Sequence, residues 1–415
     1  MTRLNIKTIV QLIIIGIISG ITGIVLTWFL HIIQQYAFGT GSYSDSSFRE
    51  IVEYASPVRR LTVLMTCGAI VGIGWVYIHR YCPKLVSIKT AVDDPKQHMP
   101  FITTICHSLL QILIIGLGSP LGREAAPREI STAFAAKLIQ LFHTDEHTGR
   151  LLLSCAAGAG LAAVYNIPIA ATIFTLETLI HDWSFKSVSA AMLCCGTAVY
   201  IMRLGLGDLV QYPLPQVDFN GSLVIWAAIA GPVIAISVFL FKESLKPFPV
   251  FSRKSPKMII ISVLAFTIIG ALSMWHPEIL GNGKAGNQLS FTNAIDWQYG
   301  LSLFAAKWLA VILATAAGAY GGHITPSMML GGMIGLTFAA IWNGIFLVIP
   351  VGMAAFIGAT VYLGLAQEMP ITAAIFLIEM SRFSPAYLFP ICICFATAMP
   401  IFICKKKLLS RQISP

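Results

Sequence analysis

Charge is scarce in this 415-residue chain. Asp, Glu, Lys and Arg make up 11% of it and apolar residues 56%, whereas soluble domains carry roughly 25% charged residues. That leaves too little polar surface to clothe a water-soluble globule of this size. Metal-ligand spacing is lacking as well. The nine cysteines are scattered among apolar residues, as at Cys67, Cys155, Cys194 and Cys195. Even Cys392 and Cys394 fall inside an apolar run, where a thiol serves as small filler. His143 and His147 are four apart, a spacing compatible with metal on a helix, but they sit in a polar interhelical stretch with no third ligand. No metal or other cofactor is expected. The chain has no His-Glu-x-x-His pair, buried Asp pair or Ser-Lys arrangement, which excludes the common intramembrane enzymes. No small-residue cleavage site follows the first apolar run, so a cleaved signal peptide is not expected.

What is present is apolar sequence of bilayer-spanning length, at about 8–37, 60–79, 101–117, 149–165, 186–202, 223–241, 258–274, 299–317 and 386–404. The solvent of the fold is therefore lipid, and the class expected is an all-α polytopic membrane protein. The net charge of +9 does not point to nucleic acid, because the basic residues lie in short segments between apolar runs rather than on one soluble face. They gather at Arg3 and Lys7, at Arg80, Lys84, Lys89 and Lys96, at Lys242, Lys246, Arg253, Lys254 and Lys257, and at Lys405, Lys406, Lys407 and Arg411. The positive-inside rule makes these segments, and both termini, cytoplasmic, in an inner or plasma membrane.

The chain also repeats itself. Pro168-Ile169-Ala170-Ala171-Thr172-Ile173-Phe174-Thr175-Leu176-Glu177 matches Pro370-Ile371-Thr372-Ala373-Ala374-Ile375-Phe376-Leu377-Ile378-Glu379 at six of ten positions. Proline suits the helix start in each copy, and a glutamate closes it. Upstream lies a glycine-rich break: Gly122 precedes Pro168 by 46 residues, and Gly322 precedes Pro370 by 48. Repetition of this kind marks transporters built from two inverted halves, here about 1–210 and 221–415. The polar stretch from Gln211 to Asn220, with Pro213 and Pro215, is the expected hinge. Segments 168–180 and 370–381 are too short to span, so re-entrant or broken helices are expected, buried in protein or lining a watery path. One transmembrane domain is expected, without a soluble regulatory domain.

Gly122-Arg123-Glu124-Ala125-Ala126-Pro127 sets two opposite charges between apolar stretches, where an unpaired charge costs upward of about 2.5 kcal/mol. The run from Ile130 to Phe142 that follows is helical, so this segment forms a helix N-terminus. Free amides there bind an anion without a full positive charge and let it leave again. Glu124 would rival the ion: ionised, its carboxylate mimics the anion in the cradle; protonated or swung away, it vacates it. The opposing segment Gly321-Gly322-His323-Ile324-Thr325-Pro326 offers further amides at a glycine-permitted bend, and the two segments are expected to face each other near the midplane. The same glycines, with Gly331, Gly332 and Gly335, also form a helix-packing seam. Glu177 and Glu379 are expected to cap amides or pair at helix junctions, with carriage of a proton as the sharper role for Glu177. Lys307 is expected to snorkel or to pair with a buried carboxylate.

Gly122-Arg123-Glu124, Gly322-His323-Ile324-Thr325-Pro326 and the copy at 370–381, in this order within an inverted repeat, resemble the CLC family of chloride channels and proton-coupled chloride transporters. The resemblance implies a homodimer with one anion pathway per subunit, carrying chloride and, in exchangers, protons. It implies that Glu124 is the external gating glutamate. The amides of Glu124, Ala125, Ile324 and Thr325 would form the outer anion site, between the flanking Gly122, Arg123 and Gly322, and those of His323 and Ile324 would contribute to a central one. Four departures stand out. Cys82-Pro83-Lys84-Leu85-Val86 replaces the motif that supplies a serine to the central ion. Ala125-Ala126 replaces Gly-Pro. Thr178 stands where many exchangers carry an internal proton-transfer glutamate. No tyrosine follows Tyr387, so the helix bearing the family's pore tyrosine is expected to be missing. The alternative reading is a different secondary transporter with broken helices, for fluoride or a cation-coupled organic solute; the latter would need carbonyl-rich unwound segments and acidic residues, whereas these cradles are rich in amides.

Overall fold

A computed structural model describes residues 4–39, 48–94, 97–214 and 220–413. Arg3, Lys96 and Pro215 lie outside the described residues, as do the side chains of Lys405, Lys407 and Arg411. The described residues form seventeen α-helices, and the one pairing of strand type is an isolated bridge. The first half runs through α1 (Ile6–Phe38), α2 (Phe48–Tyr54), α3 (Pro57–Tyr81), α4 (Ile88–Asp93), α5 (Phe101–Gly116), α6 (Ala125–Leu141), α7 (Glu146–Tyr165), α8 (Pro168–Phe174) and α9 (Phe185–Leu206). The second comprises α10 (Gly221–Leu245), α11 (Lys257–Leu272), α12 (Lys284–Phe291), α13 (Trp297–Ala316), α14 (Ile324–Asn343), α15 (Val351–Ala366), α16 (Pro370–Ser381) and α17 (Leu388–Ile413).

Among the described residues, eight helices are long and apolar enough to cross a membrane. The first shows how the bilayer selects its faces. Along α1 the side chains of Val10, Ile13, Ile17, Ile21, Val25, Trp28 and Ile32 are exposed and apolar, a lipid-facing stripe at helical spacing. Its opposite face packs on α9 through Gly16 and Gly20, where an added Cβ would come within 2.7 Å of Thr197 and 2.6 Å of Ile201. Without a hydrophobic drive between helices in lipid, such close backbone approach is what holds them together.

The halves pack alike. α1 lies on α9 as α10 lies on α17; α6 lies on α7 as α14 lies on α15; α8 and α16 meet each other. The two buried centres are α7 and α15, whose side chains are almost wholly enclosed. α15, only 16 residues long and interrupted by glycine, is absent from the spans read from sequence. α8 runs directly into a π-helical segment, Thr175–Ile180, so neither it nor α16 spans. α17 is the span read at about 386–404, continued to Ile413 and without a tyrosine.

The basic segments share one face. There Lys7 donates to the Phe142 carbonyl, Arg150 to that of Asp93 and Arg253 to that of Gly318, while Lys242 and Lys406 both pair with Glu368. Lys307 departs from both readings made of it. Fully buried, it neither snorkels nor meets a carboxylate; its Nζ donates to the carbonyls of Ile279 and Gly281, each at 2.8 Å. A buried ammonium needs acceptors for its protons, and the turn at the end of Pro277–Ile279 supplies two of them.

Candidate functional site

Two chain breaks build the site. α5 ends at Gly116, and Gly118 turns back with φ +95°, its amide donating to Ile115 at 3.0 Å while Ser119 donates to Ile114 at 2.9 Å. α13 ends in the same way at Gly318, φ +73°, with Ala319 donating to Ala314 at 3.1 Å. Left-handed glycine closes a helix at no steric cost, and four residues further on each chain reaches its second glycine. There the two breaks pair directly. Gly122 donates to the Gly322 carbonyl at 2.7 Å, and Gly322 donates back at 2.8 Å. A side chain at either position would overlap the Glu124 carboxylate, so both must be glycine for the carboxylate to sit where it does.

Glu124 stands at the N-terminus of α6 and is 1% exposed. Its Oε1 accepts the Ile324 amide at 2.8 Å, from the first residue of α14. Its Oε2 accepts the Tyr165 hydroxyl at 3.1 Å, and that hydroxyl lies 2.7 Å from Thr325 Oγ1. A tyrosine hydroxyl has one proton. With that proton on Glu124, the Thr325 hydroxyl must donate to Tyr165, which gives a directed chain from Thr325 through Tyr165 to the carboxylate. The carboxylate thus fills an amide- and hydroxyl-lined cradle between two helix N-termini, where the dipoles favour negative charge.

Gly122, Glu124, Gly322, Ile324 and Thr325 therefore meet, across 200 residues between Glu124 and Ile324. Ala125 opens α6. His323 caps α14 through its carbonyl, which accepts from Ser327 at 3.1 Å; its ring is buried, with Nδ1 unpartnered. Arg123 lines a cavity of about 240 Å³, together with Tyr165 and Thr325 at its base and Lys284 and Arg49 among its walls. The cavity also touches Gln34 and Gln35, at the far end of α1 from Lys7, and so opens on the face opposite the basic loops.

Glu177 and Thr178 lie apart from this cradle. Glu177 accepts the amides of Ile371 at 3.1 Å and Thr372 at 2.8 Å, and the Thr372 hydroxyl at 2.6 Å. Glu379 does the reciprocal, accepting the amides of Ile169 at 3.0 Å and Ala170 at 2.7 Å. Each carboxylate that closes one copy caps the helix opening the other. The Thr178 hydroxyl donates to the Phe174 carbonyl at 2.6 Å. In the segment that replaces the serine motif, Ser87 caps α4 by accepting the Thr90 amide. Sequence reasoning missed Tyr165. Its signal was present: a lone phenol at the end of the small-residue helix Ala156-Ala157-Gly158-Ala159-Gly160-Leu161-Ala162-Ala163-Val164, three residues before the first copy.

Comparison with known proteins gives the family and the fold. A family model described as voltage gated chloride channel matches residues 67–401. The voltage-gated ClC-type chloride channel ClcB of Salmonella dublin is 24% identical over 389 residues, covering 89% of this chain and 91% of that one. Among solved structures, a slow cyanobacterial Cl-/H+ antiporter superposes with a TM-score of 0.81 at 19% identity, covering 99% of both chains. A CLC-type fluoride/proton antiporter does so with 0.71 at 18% identity, covering 95% of this chain and 96% of the other.

Proposed function

Because the chain belongs to the voltage-gated chloride channel (CLC) family, we propose that it carries chloride or a similar small anion across the bilayer in exchange for protons, with Glu124 as the gate. The observation that carries the reading is the Glu124 carboxylate lodged between the start of α6 and the Ile324 amide. An anion needs those amides, and the carboxylate holds them until it is protonated or swings out. The cradle accordingly exchanges one negative charge for another without exposing a bare helix terminus. The outer site is formed by the amides of Glu124, Ala125, Ile324 and Thr325. The protein works as a single transmembrane domain and, by family resemblance, as a homodimer. Its basic-loop face is cytoplasmic, which puts the cavity beside Arg123 outside.

A second reading, a channel without proton coupling, is favoured by the inner side. Thr178 carries no titratable group, and both Glu177 oxygens are committed to α16. Flux from liposomes of purified protein separates the two, with chloride release and pH followed together. Coupled release is expected. Chloride release without proton movement selects the channel, and no anion-selective release refutes both. Glu124→Gln should keep chloride flux and abolish coupling; unaltered behaviour would remove Glu124 from the gate.

A further inference from the structure

A second buried carboxylate lies on the gate helix. Glu129 follows Glu124 by five residues on α6, roughly 7 Å along the axis, on the side of the basic loops. Its Oε2 accepts the Ser108 hydroxyl at 3.0 Å and the Gln111 amide at 2.9 Å, both from α5. His107 Nε2 faces the same oxygen at 3.6 Å. Trp75 fixes that imidazole: its indole N–H can only donate, and it donates to His107 Nδ1 at 3.0 Å. The neutral ring therefore carries its proton on Nε2, toward Glu129. Beyond His107 stands Tyr320, ring to ring at 4.6 Å, whose hydroxyl is 3.0 Å from His79 Nε2 near the end of α3. Arg253 of the basic face covers the Tyr320 ring at 4.3 Å. A line of polar groups thus joins Glu129 to the basic-loop surface.

The titratable groups on the side of Glu129 come from several elements. α6 itself contributes Arg128 and Glu124, α5 His107, α3 His79, the second break Tyr320, and the loop before α11 Arg253 and Lys254. Arg128 lies within electrostatic reach of both carboxylates, with its guanidinium over the Phe174 ring at 4.5 Å. Glu124, Arg128 and Glu129 thus alternate in sign along the gate helix. Together they carry one net negative charge, and an anion arriving in the cradle adds another that a single proton cancels. Glu129 is also the more accessible carboxylate: its side chain is 23% exposed, against 1% for the Glu124 residue. An ionisable group held at membrane depth by three side-chain contacts is a functional site by default.

We propose that Glu129 is the inner proton site of the exchange, in the place Thr178 leaves without a titratable group. A proton from water on the basic-loop side binds the Glu129 carboxylate and passes to the Glu124 carboxylate, which leaves the cradle to an anion; no other reactant is required. This rests on the antiporter reading above. The test is coupled flux in liposomes for the full chain and for Glu129→Gln, which keeps an acceptor for Ser108. Glu129→Gln is expected to retain chloride release and lose proton movement by at least about tenfold, while Thr178→Val leaves coupling unaltered. Glu129→Asp keeps the charge on a shorter arm, so its coupling should fall between those of the other two; it reads the site even where the glutamine variant does not fold. Full coupling in either Glu129 variant or loss of coupling in Thr178→Val would overturn the assignment, whereas uncoupled chloride flux in the unaltered protein would overturn the antiporter reading on which it rests. Absence of chloride flux in the unaltered protein would overturn that reading as well.

Discussion

The Glu124 carboxylate, the proposed gate, is held by few atoms, and they are not equivalent. The Ile324 amide belongs to the backbone and would serve an anion equally well, so it does not discriminate gate from ion. The Tyr165 hydroxyl reaches the carboxylate from the end of α7, backed by Thr325. It is the contact a substitution can remove without disturbing the cradle. A hydrogen bond to a charged group contributes about 1.5 kcal/mol or more. Tyr165→Phe should therefore shift the gate toward release and raise chloride efflux roughly tenfold or more, without loss of the folded protein. Efflux equal to the unaltered protein would show that the hydroxyl does not restrain the gate. Gly322→Ala acts on the same carboxylate from the other side. Its methyl group would occupy the carboxylate's position, so Glu124 has to leave, and transport should lose its dependence on pH; a retained pH dependence would mean that the carboxylate had found another seat.

At the scale of elements, the two copies are joined by exchanged caps. Glu177 and Glu379 each accept two amides at the other's helix start, which sets α8 and α16 in antiparallel partnership. Glu177→Gln and Glu379→Gln should each cost about 2–3 kcal/mol and lower the thermal unfolding midpoint in detergent. Glu177→Gln should lower it more, because that carboxylate also accepts the Thr372 hydroxyl; no shift in either would deny the caps a structural role. Much of this was legible in the sequence. Proline-led copies closed by glutamate, and glycine breaks at matched distances, required only near-neighbour patterns. Left-handed residues recur at matched places too: Gly118 and Gly318, Asn166 and Glu368, His181 and Arg382. The rest was not legible for physical reasons. α15 is as long as α5 and α11, which the apolar runs did reveal, but Gly352, Gly358 and Gly364 break up its run, and like α7 it is defined by burial rather than by lipid contact. Tyr165 meets Thr325 across 160 residues, and no local pattern announces that contact. Lys307 ends on two carbonyls because a turn happens to aim them inward, which composition cannot reveal.

The ends of the second half are tied on the basic face by Glu368, between α15 and α16, which pairs with Lys242 of α10 and Lys406 of α17. Hydrogen bonds from Lys242 and then Lys406 hold its carboxyl below the ordinary range. A depressed pKa means that the clamp stabilises the fold above the unfolded carboxyl value of about 4.3 and is lost as pH falls through the folded value. Hydrogen exchange of the α17 backbone should therefore be slow at neutral pH and quicken below about pH 4, and Glu368→Gln should show the quicker exchange at neutral pH. Exchange indifferent to both would mean that α17 is held by its packing on α10 and α15 alone.

For the molecule as a whole, the excess of basic residues does two jobs on two faces. On the loop face it bonds to carbonyls and to Glu368. On the opposite face Arg49, Arg123 and Lys284 line the cavity that leads down to Tyr165 and Thr325, and the described lining carries no carboxylate. A recess lined by cations with low-dielectric walls concentrates counter-ions, so this cavity, although Arg49 is itself paired with Glu53 at 2.6 Å, is expected to gather anions before they reach Glu124. Lys284 is the group to test, because it is separate from the cradle and its ammonium bonds to Gln211 at 3.1 Å. Lys284→Gln should lower chloride uptake from that face roughly two- to fivefold at low ionic strength, with the difference vanishing in high salt as screening shortens the field's reach. A loss independent of salt would place Lys284 in the binding site proper, and no loss at low salt would leave the cavity without a role in capture.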